Sequence, residues 1–114
     1  MFKTGAQEHF YFEPFSVRAE PVDSTREVVV TAATQGQALL QKTCAKALGV
    51  PQVNIHLMVC DFRLNTLQTH VHVHTKRLGG GFGGKEIGPS QLAASVVTAA
   101  VKFNRPISLG YSSI

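Results

Sequence analysis

Glu27-Val28-Val29-Val30-Thr31-Ala32, followed after Ala33-Thr34-Gln35-Gly36 by Gln37 to Leu48 and then Gly49, is the run that decides the fold. Three consecutive valines in a six-residue stretch predict a buried strand over Glu27–Ala32, because β-branched side chains suit a pleated, packed surface. Thr34 with Gln37 three residues on has the spacing of a capping box. Leu40, Cys44, Ala47 and Leu48 then recur at helical spacing, so a helix is expected to start near Thr34. Gly49 predicts its end, with Pro51 just beyond.

Upstream, Glu8 to Phe12 alternates with aromatics and Ser16 to Glu20 alternates again after Pro14, which predicts two short strands joined by a turn. Pro21 to Thr25 reads as the next turn. Downstream, Val53 to Val59 and Val71 to Lys76 both alternate apolar with polar, the pattern of half-buried strands. Pro89 opens a last helix with an apolar stripe of Leu92, Val96, Ala99, Ala100 and Phe103, and Pro106 closes it. The expected fold class is α+β, a mixed sheet of short strands with two packed helices.

The 114 residues make one domain and no more. Hydrophobic residues are 44% and charged residues 16%, too apolar a balance for a disordered tail. No apolar run reaches the roughly 18 to 20 residues of a membrane span, and Met1 to Gln7 lacks the apolar core of a signal peptide, so a cytoplasmic protein with no membrane partner is expected. The net charge of +4 arises in the second half of the chain, where Lys76, Arg77 and Lys85 surround a glycine loop. Such a cluster suits an anionic ligand, and without a dispersed basic stripe no nucleic-acid partner is expected. Cys44 and Cys60 are far apart and outside any C-x-x-C spacing, so both read as core thiols.

Gly79 to Gly84 holds five of the ten glycines and is followed by Lys85-Glu86. Gly79, Gly81 and Gly84 satisfy G-x-G-x-x-G, but that fingerprint needs an acid about 20 residues on, and no acid follows Glu86. Gly79, Gly84 and Lys85 also fit most of a phosphate loop. Glu86 stands where that loop needs a hydroxyl for Mg²⁺, which excludes an ATPase. What remains is a tight turn, or a loop whose exposed amides approach a ligand oxygen beside one apolar wall, Phe82.

Gln7-Glu8-His9-Phe10-Tyr11, Ala47-Leu48-Gly49-Val50-Pro51 and Lys76-Arg77-Leu78-Gly79-Gly80-Gly81-Phe82-Gly83-Gly84-Lys85-Glu86 occur here in one order. In that order they resemble the molybdenum-binding part of the xanthine dehydrogenase and aldehyde oxidase family, the molybdenum hydroxylases. The resemblance covers about Thr4 to Ile107 and only a small part of a family chain. It implies a partial molybdopterin-binding domain over 1–114, closest to xanthine dehydrogenase, whose members oxidise hypoxanthine to xanthine and urate. It also implies a molybdenum-molybdopterin cofactor, 2Fe-2S clusters and FAD on segments absent here, a small-molecule substrate (purine or aldehyde), and a homodimeric parent. Gln7 matches the amide that contacts the metal's oxo ligand, and Gly81 and Phe82 match residues lying against metal and pterin. Glu86 matches the carboxylate that holds the purine. Read without the resemblance, Gln7 is a polar residue near a terminus, and Glu86 is a solvated charge before a helix.

The resemblance supplies no catalytic residue within this chain, so an inactive fragment is expected. An aldehyde oxidase fragment is the nearest alternative. A small metal-binding module is another, because His70, His72 and His74 share one face of a strand, although solvent-facing histidines explain the row as well. The stretch from Pro51 to the glycine loop is longer than the family pattern, and residues 57–72 are expected to be an insertion: without them Ile55-His56 runs directly into Val73-His74.

Overall fold

The computed structural model describes residues 2–5, 8–22, 27–50 and 71–111. Its elements in chain order are β1 (Phe15–Val22), β2 (Glu27–Ala32), α1 (Gln37–Leu48), β3 (Val71–His74), α2 (Gly88–Phe103) and β4 (Ile107–Tyr111). The strands form one mixed sheet in the order β3-β2-β1-β4. β1 is antiparallel to both β2 and β4, whereas β2 and β3 are parallel and joined through α1. This is the expected α+β architecture.

Register and side-chain alternation together make one face of the sheet apolar. Val73, Val30, Ala19 and Ile107 stand in one row across the four strands, and Val71 and Val28 start the next. Against this face α1 sets Leu40, Cys44 and Ala45, and α2 sets Ala93, Val96, Val97 and Ala100. Leu40, Val30 and Val97 are fully buried, and burying each such side chain contributes on the order of 1.5 to 3 kcal/mol. Burial pushes the Cys44 thiol up to about 12, as suits a core thiol. Cys60 lies outside the described residues.

Several expectations change. Glu8 to Phe12 forms no strand: Phe10 and Phe12 project into solvent and meet each other edge to face, 5.4 Å between ring centres, while Tyr11 turns inward. Pro21 and Val22 belong to β1, paired with Val28 and Glu27. The capping box does not form. α1 starts at Gly36 with no side-chain cap, and the Thr34 hydroxyl instead accepts the Gly36 N–H at 3.0 Å and donates to the Lys85 carbonyl at 3.1 Å. In α2 the expected stripe holds at Val96 and Ala100, with Leu92 packed partly buried against the core, but Phe103 is exposed and the buried face extends to Ala93 and Val97, where small and β-branched residues let α1 and the sheet approach. Ala47, expected in the core, is exposed, and Ala45 takes its place. Gly49 ends α1 in the left-handed conformation, φ 67°, and Asn104 ends α2 at φ 48° ahead of Pro106. The expected strand over Val53–Val59 lies outside the described residues.

Candidate functional site

Residues 79–86 leave the edge strand β3 and reach the start of α2 by lying across two other segments. The N-terminal run supplies one side, and the β2–α1 connection supplies the other. Glu13 Oε2 accepts the Gly79 N–H at 2.7 Å and the Lys85 ammonium at 2.5 Å. Gln35 Oε1 accepts the Gly83 N–H at 3.0 Å and the Lys85 N–H at 3.3 Å, and the Gln35 N–H donates to the Lys85 carbonyl at 2.8 Å. The Tyr11 ring lies over the Lys85 ammonium, 4.9 Å from its centre. His9 and Tyr11 press so closely on Gly84 that a Cβ there would stand 2.7 Å from Tyr11 Cε1 and 2.8 Å from His9 Cβ. Only glycine fits.

This arrangement corrects the reading of Lys85 as a cation facing an anionic ligand. Its side chain is wholly buried and its charge is met by Glu13, whose carboxyl is held below the ordinary 4.5, chiefly by the hydrogen bond from Lys85. The amides of Gly79, Gly83, Gly84 and Lys85 are likewise turned to acceptors within the protein. The amide cradle expected for the whole loop therefore shrinks to its tip. There Gly80 has φ 87° and Phe82 φ 50°, an uncommon conformation for a residue with a side chain. Phe82 is 71% exposed.

Gly81 is buried beneath Gln35, and Phe82 and Glu86 are exposed on the same loop. The Glu86 carboxylate has no cation paired with it among the described residues, and its carbonyl accepts the Ser90 hydroxyl at 3.1 Å in the first turn of α2. Gln7 lies outside the described residues, as does His70. His74 is exposed, and His72 Nε2 stands 3.8 Å from Glu27 Oε1 on the outer face of the sheet. Among the described residues no three His, Cys, Asp or Glu side chains converge to hold a metal ion, and the row of His70, His72 and His74 lies partly outside them. Sequence reasoning missed Glu13, Gln35 and Tyr11. Their partners lie 48 to 74 residues away, and no local spacing marks them.

The family model described as "Molybdopterin cofactor-binding domain" matches residues 1–62 and 55–113. The chain belongs to this family. It is 39% identical over 107 residues to a xanthine dehydrogenase of Oryza sativa subsp. japonica, covering 94% of this chain and 7% of that protein. It is also 36% identical over 103 residues to aldehyde oxidase 3 of Mus musculus (90% of this chain, 6% of that one), and 38% identical over 105 residues to aldehyde oxidase 2 of Cavia porcellus (92% and 7%). The chain thus spans less than a tenth of these relatives. Among the described residues no helix is long and apolar enough to cross a membrane.

Proposed function

We propose that residues 79–86 form one wall of a molybdenum-molybdopterin site. Phe82 lies against the cofactor, with Gly81 beneath it packed on Gln35 as its support, Gln7 offers its neutral amide to the metal centre, and Glu86 holds the substrate. The observation that carries the reading is the loop tip. An exposed aromatic ring in a left-handed backbone conformation is held in place by distant residues, and such conformations persist only where the surroundings over-determine them. The chemistry of the wall fits the group. The loop's one cation is neutralised, an apolar ring stands at the tip, and glycines permit close approach to a large planar ligand. When bound, the molybdenum centre supplies hydroxylation of a substrate carbon with loss of an electron pair to further carriers, the 2Fe-2S clusters and FAD of the parent protein.

The chain's own contribution is to bind and orient. Glu86, an exposed carboxylate without a paired cation among the described residues, is suited to accept hydrogen bonds from a purine, and an aldehyde leaves it unsatisfied. That favours a purine substrate over the aldehyde alternative. One wall cannot enclose a pterin, so the chain alone is inactive, and activity belongs to a longer, cytoplasmic, homodimeric parent.

We further propose that residues 57–72 are an insertion, supported by the family match falling in two pieces that share 55–62. Val71 and His72 now occupy β3, where Val71 is buried opposite Val28 and its carbonyl accepts the Gln41 side-chain amide at 2.8 Å. Deleting 57–72 puts Ile55 and His56 in those two places, again apolar then histidine.

The test grafts this chain's matched residues, lacking 57–72, into the rice xanthine dehydrogenase relative. Molybdenum content at the parent level, with xanthine turnover lost on Glu86→Ala, is expected. A folded, soluble chimera without molybdenum overturns the reading.

A further inference from the structure

We propose that the ion pair between Glu13 and Lys85 is the positioning element of the glycine loop, setting the direction in which Phe82 and Glu86 face cofactor and substrate. That role rests on the cofactor-wall reading above; the clasp itself rests on geometry. A single oxygen, Glu13 Oε2, receives both the Gly79 N–H at 2.7 Å and the Lys85 ammonium at 2.5 Å. These two residues bracket the loop, so one atom ties its beginning to its end. Lys85 is the largest wholly buried side chain in the chain's described part, and an apolar residue of that size would fill the space without the cost of desolvating a charge. A pair whose cation is wholly buried, against a carboxylate 33% exposed, kept at that cost points to specificity of geometry rather than to stability.

The rest of the surroundings act on the same backbone. The Tyr11 ring covers the ammonium, Gln35 pins Gly83 and Lys85, and His9 rests against Gly83 and Gly84. Between the pinned ends Phe82 holds φ 50°, and the loop can keep that conformation only while both ends are fixed. The charged group facing the Glu13 carboxylate is Lys85; Glu86 is turned to solvent.

The experiment uses the 114-residue chain and reads backbone amide exchange and shifts by NMR. In the double variant Glu13→Met with Lys85→Met, both charges are gone and the volume is kept. The melting temperature is expected to hold or rise, while Gly79, Gly83 and Lys85 amides exchange about tenfold faster or more and those of Val30 and Val97 are unchanged. Loop amides exchanging at the parent rate in the folded double variant overturn the proposal. If that variant does not fold, acid titration of the unaltered chain decides. The Gly79 amide shift and the loop exchange rates should move together in one transition below the ordinary carboxylate range, and a Gly79 amide insensitive to that transition overturns the clasp. Neither readout needs cofactor, so failure here leaves the cofactor-wall reading to be judged by the molybdenum content of the chimera.

Discussion

The core under the sheet and the loop over 79–86 are both densely packed, yet they are built from opposite materials. In the core, Val17, Val30, Leu40 and Val97 exclude water through non-directional contacts that many shapes could satisfy. In the loop, one carboxylate, one amide side chain and one ammonium fix the backbone through directional bonds, and the only large buried group is a charge. A core tolerates change in proportion to the volume altered. Where a polar clasp is concerned, stability should fall when one member is removed and recover when both are, while the loop geometry is lost either way.

The sharpest way to break this contrast is Glu13→Ala, which leaves the Lys85 ammonium buried without its partner. A loss of about 3 to 5 kcal/mol in denaturant unfolding is expected. A loss under about 1 kcal/mol would mean that water reaches the site and that the pair is ordinary surface chemistry. On the core side, Leu40→Ala should cost about 2 to 5 kcal/mol, scaling with the cavity left behind. Gly84→Ala drives a methyl group into Tyr11 and His9 and should cost about 1 to 3 kcal/mol. Its loop amide shifts should change while those of α2 stay in place. The smallest expected effect is Thr34→Val, about 1 to 2 kcal/mol for the lost bonds to the Lys85 carbonyl and from the Gly36 N–H.

Acid separates the two regions as well. Glu13 titrates below its ordinary value in the folded chain, so the stability it contributes is complete above the ordinary carboxylate range and disappears as pH falls toward the lowered value. The thermal midpoint should therefore decline through that acid window in the unaltered chain, and decline less steeply in the Glu13→Met, Lys85→Met double variant.

What could be read from the sequence follows the same division. Periodicity is local, so Glu27–Ala32 and the Gly49 stop are legible residue for residue, and the α+β class with them. The aromatic alternation of Glu8 to Phe12 misleads because its cause is different: Tyr11 faces a lysine, and Phe10 and Phe12 face solvent and each other. The motif at Gly79 to Glu86 is legible as a loop that approaches something closely. Part of that something is the protein's own residues 9–13 and Gln35, contacts no spacing rule encodes. The shift of the α2 stripe toward Ala93 and Val97 was hidden for a related reason, since alanine signals burial only once a neighbouring helix is known to press there.

The central claim, that a buried charge fastens the loop, is tested most directly by the Lys85 ammonium itself, observed through its nitrogen resonance at neutral pH. The account predicts a Lys85 ammonium protected from water exchange, with cross-relaxation to the Tyr11 ring and the Glu13 side chain. A Lys85 ammonium exchanging as fast as those of the exposed Lys42, Lys46 and Lys102 would contradict it.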